Sequence, residues 1–238
     1  MKKVLITGSS GGIGAATARL FAESGYYVAL HYHQSEGIAH SLEQEFGEYA
    51  FAVKADISDS AQVKAMFSAV LERFGGIDVL INNAGIAEFS LFTDITDEQW
   101  RRMFAVNVDG CFYCCREALP YMISQKSGTI INVSSIWGIT GGSCEVHYSA
   151  SKAAVIGLTK ALAKEVGPSG IMVNCIAPGI IDTKMNRSLS GGDITSLLDE
   201  TPLQKIGTPF EIAKTALFLS ESEFITGQVI SPNGGFVI

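Results

Sequence analysis

Tyr148 and Lys152 stand four residues apart in Tyr148-Ser149-Ala150-Ser151-Lys152, a spacing that lays a phenol and an ammonium on one face of a helix. An ordinary tyrosine ionises near pH 10 and moves protons poorly at neutral pH, whereas a fixed cation beside it stabilises the phenolate. Lowering the phenol by about three units takes roughly 4 kcal/mol, which a close ammonium in a partly desolvated cleft can supply. The pair then works as a general acid or base. Alone, Tyr-x-x-x-Lys is common on solvated helices. Here it has company: Thr7-Gly8-Ser9-Ser10-Gly11-Gly12-Ile13-Gly14 near the start, Asn82-Asn83-Ala84-Gly85 in the middle, Ser135 thirteen residues before the tyrosine, and Pro178-Gly179 after it.

In order and over essentially the whole chain, these segments resemble the short-chain dehydrogenase/reductase family. The resemblance implies a Rossmann-type doubly wound α/β fold, with helices on both faces of a seven-stranded parallel sheet. It implies one dinucleotide-binding domain over residues 1–238, and a catalytic set of Asn107, Ser135, Tyr148 and Lys152. Tyr148 would give the proton during reduction, Ser135 would fix the carbonyl oxygen, and Lys152 would lower the phenol and hold the nicotinamide ribose. Asn107, in Val106-Asn107-Val108, would distort its helix and anchor a water.

The patterning supplies elements to carry these groups. Lys3–Thr7 reads as a short buried strand, and Ile13, Ala16, Leu20 and Phe21 as a following helix. Between them Gly8, Gly12 and Gly14, with Ser10 and Ile13, form a turn that can approach a pyrophosphate at the helix start. The strand 27–32 ends in Tyr32-His33-Gln34-Ser35, where a carboxylate would select NAD by bonding the ribose 2'-hydroxyl. No carboxylate comes before Glu36, and His33 and Ser35 can donate to a 2'-phosphate, so NADP(H) is favoured over NAD(H), although no arginine or lysine follows the strand and Gly11 stands where NADP-binding relatives are often basic. After the strand 50–55, Asp56-Ile57 is similar to the family's adenine-contacting pair, with a helix cap as the plain alternative for Asp56. Asn83, Ala84 and Gly85, after the strand 77–81, resemble the family's cofactor-side loop and would border the dinucleotide. Pro178, Gly179, Ile181 and Thr183 follow the strand 172–176 in a segment similar to the one with which the family binds the nicotinamide carboxamide.

A single long helix is expected from the capping box Thr96-Asp97-Glu98-Gln99 through Tyr113, with Asn107 inside it. A helix over 148–166 begins at the tyrosine. Residues 184–207, with Ile194, Leu197 and Leu198, read as a substrate lid, or else as a surface excursion. Thr208-Pro209-Phe210-Glu211 opens a last helix, and a strand over 225–230 precedes the Gly234-Gly235 tail.

Composition excludes other classes. With 238 residues and 47% hydrophobic content, the chain fits one well-buried domain. A net charge of -7 and a pI near 5.1 repel nucleic acid and anionic membrane. No apolar run suits a signal segment or a span, which points to the cytoplasm. Five cysteines, three of them at 111, 114 and 115, fit reduced thiols, and no metal site is expected.

The segment Ser134–Gly138 through the tyrosine helix looks like the 3-oxoacyl-acyl-carrier-protein reductase branch, which implies NADPH-dependent reduction of a carrier- or CoA-linked 3-oxoacyl thioester in fatty acid biosynthesis, an acyl carrier protein as possible partner, and a homotetramer. Lys126 occupies one basic position expected to meet the acidic carrier, and Ser169 replaces another. Glu145 stands where those reductases carry an uncharged amide. A carboxylate there would raise the phenol unless it points away or grips a polar substrate group. Glu145 therefore keeps a second reading open, a dehydrogenase of a free sugar, polyol, steroid or other small secondary alcohol. A non-catalytic dinucleotide-binding regulator is a third, opposed by the intact catalytic set. Trp137 walls a pocket or simply packs, and His147 belongs to a first helical turn.

Overall fold

Short apolar runs become strands, the central ones buried on both faces, in the computed structural model, which describes residues 1–184 and 191–238, with the backbone alone for 191–194. The strands are β1 (Lys3–Ile6), β2 (Tyr27–Tyr32), β3 (Ala50–Lys54), β4 (Val79–Asn82), β5 (Gly128–Val133), β6 (Ile171–Ile176) and β7 (Val229–Ile230). They form one seven-stranded sheet in the order β3-β2-β1-β4-β5-β6-β7, and every pairing is parallel. The helices are α1 (Gly12–Glu23), α2 (Glu36–Phe46), α3 (Ser60–Phe74), α4 (Asp97–Phe104), α5 (Gly110–Gln125), α6 (Trp137–Thr140), α7 (Val146–Val166), α8 (Gly191–Asp199) and α9 (Pro209–Glu221).

Alternate strand residues serve opposite faces. Val4 and Ile6 join Val28, Leu30, Ile81 and Phe21 of α1 with Ile212 of α9, while Leu5 joins Ala29, Leu80, Ile130, Phe67 of α3 and Val155 of α7. Phe21 and Phe67 are sealed on the two faces, each contributing about 1.5–3 kcal/mol.

Helix ends follow local chemistry. Asp59 accepts from the amides of Ala61 and Gln62 to start α3, and Gly75 at φ 71° stops it. Thr96 and Gln99 form the reciprocal cap of α4, and the Glu211 carboxylate accepts the Thr208 amide at 2.7 Å to open α9.

The long helix after Thr96 is split by a π-helical turn at Ala105–Asp109, the distortion that the resemblance implies at Asn107, whose side chain bonds Ile86 there. One expected element comes out differently. The last strand is only Val229–Ile230; Gly227 at φ 71° turns the chain out of extended geometry before it. Residues 185–190 of the expected lid lie outside the described residues, and α8 occupies part of the remainder. No described helix is long and apolar enough to cross a membrane.

Candidate active site

The chain runs outward from β1 to β3 and then returns to β4 beside β1, so a crevice opens at the carboxyl ends of these strands. The glycine turn lines it. Gly8 adopts φ 66°; a Cβ on Gly12 would stand 2.9 Å from Thr183 Cγ2, and one on Gly14 would overlap the Gly8 carbonyl. Backbone thus takes the place of side chains at the start of α1, where amides and dipole favour an anion. A dinucleotide pyrophosphate fits this cradle. Asn83 clamps it by donating Nδ2 to the carbonyls of Thr7 at 3.0 Å and Gly8 at 3.2 Å, while Thr7 Oγ1 accepts the amides of Asn83 and Ala84 at 3.0 Å each.

The π turn delivers Asn107, 2% exposed. Its Oδ1 accepts the Ile86 amide at 2.8 Å, and its Nδ2 donates to the Ile86 carbonyl at 2.9 Å and to Ser151 Oγ at 3.0 Å. Ser151 in turn donates to the Tyr148 carbonyl at 2.7 Å. A Cβ on Gly85 would stand 3.0 Å from Asn107 Oδ1 and 3.3 Å from Lys152 Nζ, so these three residues meet at one point. Lys152 Nζ donates to the Val133 carbonyl at 2.9 Å, and Ser134 Oγ donates to the Lys152 carbonyl at 2.8 Å. The end of β5 therefore grips α7 at the lysine.

Ser135, the next residue, hydrogen-bonds the Tyr148 phenol and accepts the Trp137 amide at 3.2 Å. The electrostatics depart from the sequence expectation. Burial pushes the Tyr148 phenol up to about 12; the Ser135 hydrogen bond pulls it down and the neighbouring Glu145 carboxylate raises it further. Burial pulls Lys152 down to about 8. Its Nζ lies 5.7 Å from the centre of the Tyr148 ring with its hydrogen bond turned to Val133, so desolvation outweighs the cation's pull on the phenol. Burial likewise lifts Glu145 to about 7, with the Trp137 indole acting in the opposite sense as a hydrogen-bond partner.

A hydroxyl, a phenol and an ammonium thus converge beside an anion cradle, and comparison with known proteins agrees with that chemistry. The short chain dehydrogenase family model matches residues 2–193. The chain belongs to the short-chain dehydrogenase family. It is 41% identical to the 3-oxoacyl-[acyl-carrier-protein] reductase of Staphylococcus aureus (strain N315), over 98% of this chain and 97% of the relative. The Chlamydia muridarum reductase of the same name is also 41% identical, over 98% and 96%, and that of Staphylococcus epidermidis is 40% identical over 98% of each. The chain is accordingly an oxidoreductase that uses a nicotinamide dinucleotide.

Within this short-chain dehydrogenase the other expected cofactor positions line the same edge. His33 and Ser35 follow β2, Asp56 and Ile57 follow β3, and Pro178, Gly179, Ile181 and Thr183 follow β6. Asp56 accepts from the amide and hydroxyl of Ser58 at 2.9 and 2.7 Å, which holds its carboxyl below the usual range despite desolvation. Its Oδ2 is 3.9 Å from His33 Nε2. Gly179 packs where a Cβ would stand 2.7 Å from Asn233 Cα, and Ile181 bridges to Gly207.

Sequence reasoning missed two residues. His31, on β2, accepts the Gly8 amide at Nδ1 (2.9 Å) and holds the Ala55 carbonyl through Nε2 (3.0 Å), tying the glycine turn to the end of β3. Its apolar-strand position gave no signal. Arg19 of α1 lines an open groove with Gln34, Ser35 and Gly37, although it is bidentate to Glu45 at 3.0 and 3.1 Å; its helix-face spacing from the glycine turn was the available clue. Lys126 and Ser169 precede β5 and β6, so they sit at the opposite edge of the sheet from Ser135 and Tyr148.

Proposed function

We propose that the chain reduces a 3-oxoacyl thioester, linked to acyl carrier protein or CoA, to the 3-hydroxyacyl thioester with NADPH. The observation that carries the reading is the convergence of Ser135, Tyr148, Lys152 and Asn107 at the cradle edge, in a chain about 41% identical over nearly its full length to 3-oxoacyl-[acyl-carrier-protein] reductases. Bound there, the nicotinamide supplies the hydride. Ser135 and Tyr148 hydrogen-bond the carbonyl oxygen, and Tyr148, protonated at neutral pH, gives its proton as that oxygen becomes an alkoxide. Lys152 holds the ribose and stabilises the resulting phenolate, while Asn107 fixes the 86–107 contact beside it and positions a water for reprotonation.

Preference for NADP is supported by the absence of a carboxylate at residues 33–35 and by His33 and Ser35, which can donate to a 2'-phosphate. On this reading the enzyme works in fatty acid biosynthesis in the cytoplasm, as a single-domain chain that assembles into a homotetramer. The test is the initial rate of cofactor oxidation with a short 3-oxoacyl thioester, run with NADPH, with NADH, and with Tyr148→Phe. A rate that prefers NADPH and falls at least about a hundredfold without the phenol is expected. Cofactor binding without turnover of any thioester would overturn the reading.

A further inference from the structure

Reduction of a carbonyl needs no acid beyond the phenol, yet a second acid group stands next to it. Glu145 is 6% exposed and immediately precedes α7, without capping it through its side chain. Among the described residues no Lys, Arg or His nitrogen pairs with it, and Lys152 Nζ is turned to Val133. Its recorded partner is the neutral Trp137 indole, which is fixed edge-on to Phe236 at 5.5 Å and backed by Gly142, where a Cβ would stand 3.1 Å from the ring. A buried carboxyl with a single neutral donor is under-compensated. Glu145 stands three residues before Tyr148, whose phenol feels the carboxylate.

We propose that Glu145 selects the substrate by accepting a hydrogen bond from an N–H or O–H group carried a few bonds from the reacting carbonyl. The proposal rests on the ketoreductase reading above and narrows its substrate class from plain acyl chains to chains bearing a polar donor. An ionised carboxylate only accepts, so an amine or hydroxyl completes it, whereas a methyl group in the same place leaves it buried and unpaired.

The test compares three 3-oxo thioesters of equal length ending in methyl, hydroxyl or amino groups, reduced with NADPH by the wild type, Glu145→Gln and Glu145→Leu. In parallel, Trp137 fluorescence in a Trp100→Phe background reports binding of the corresponding alcohols. The wild type should favour a donor-bearing substrate over the methyl one by about tenfold or more in kcat/KM. Glu145→Leu should bring that ratio near one. A preference for the amine that is also lost in Glu145→Gln identifies charge pairing; a preference for the hydroxyl that survives glutamine and is lost with leucine identifies neutral hydrogen bonding. Equal turnover of all three by the wild type, or a preference that survives leucine, overturns the proposal. If no thioester turns over, the ketoreductase reading fails separately and fluorescence decides: tighter binding of the donor-bearing alcohols that leucine abolishes sustains the role of Glu145, and equal binding overturns it.

Discussion

Replacing His31 by glutamine removes a titrating ring from beneath the glycine turn while retaining an amide able to accept from Gly8 and donate to Ala55. His31 is 2% exposed, and burial lowers its pKa from 6.5 to about 4, against the opposing hydrogen bond to Ala55. Both hydrogen bonds demand the neutral ring with its proton on Nε2. A base whose folded pKa lies below its unfolded value contributes stability that is whole above pH 6.5 and drains as pH falls toward 4, because the unfolded chain takes up a proton the folded chain refuses. At 1.36 kcal/mol per unit, the drop from 6.5 to about 4 comes to about 3 kcal/mol over the full window, of which about 2 kcal/mol falls between pH 7.5 and 5.

The wild type alone conceals this. Glu145, raised from 4.5 to about 7 chiefly by burial, acts with the opposite sign: its contribution is whole below pH 4.5 and is lost as pH rises through 7. Subtracting the two proteins isolates the histidine. Urea unfolding at pH 7.5 and 5.0, at one protein concentration, should show His31→Gln gaining about 2 kcal/mol on the wild type at the lower pH. A gap between the two proteins that is the same at both pH values would refute the argument.

Gly14→Ala drives a methyl group into the Gly8 carbonyl and to 2.7 Å from Asn83 Nδ2, so the cradle must shift; cofactor Kd by fluorescence titration should rise about tenfold or more, with about 1–3 kcal/mol of stability lost. Asn107→Ala strips both partners from the Ile86 amide and carbonyl, and thermal melts should show a loss of about 1–3 kcal/mol for each group left buried. Its kcat should fall further than cofactor affinity. His33→Asp puts a second carboxylate near Asp56 at the end of β2, and the ratio of kcat/KM for NADPH over NADH should fall about tenfold; a ratio that does not move removes His33 from cofactor choice.

What the sequence made legible was whatever depends on neighbours along the chain. The glycine turn, the two capping boxes and the strand-helix alternation are local rules, and Thr96, Gln99, Thr208 and Glu211 behave as those rules require. The site residues were legible through spacing and resemblance, since Ser135 and Tyr148 are brought together by β5 packing on α7. The π turn at Asn107 was legible only as a motif, because its cause is a hydrogen-bond pair with Ile86, twenty-one residues away. His31 was invisible for a similar reason: a histidine in an apolar strand gains its meaning from Gly8 and Ala55, which reach it through other elements. The direction of the Tyr148 shift was misread because Tyr-x-x-x-Lys fixes proximity along a helix and says nothing of how deeply the walls bury the pair.

That burial bears on the direction of the chemistry. A proton donor must carry its proton when the substrate arrives, and a phenol pushed up to about 12 is protonated across the whole neutral range. Oxidation of an alcohol asks the opposite, a phenolate at the outset, which the same walls penalise. Lys152, pulled down to about 8, still holds most of its charge at neutral pH and stands ready to stabilise the phenolate once the proton has left. Ser135 is the group that favours the phenolate before that point, and the adjacent Glu145 opposes it. Desolvation and the neighbouring acid therefore keep the resting phenol protonated, the state from which carbonyl reduction starts, whereas alcohol oxidation would have to begin from the phenolate that the same surroundings disfavour.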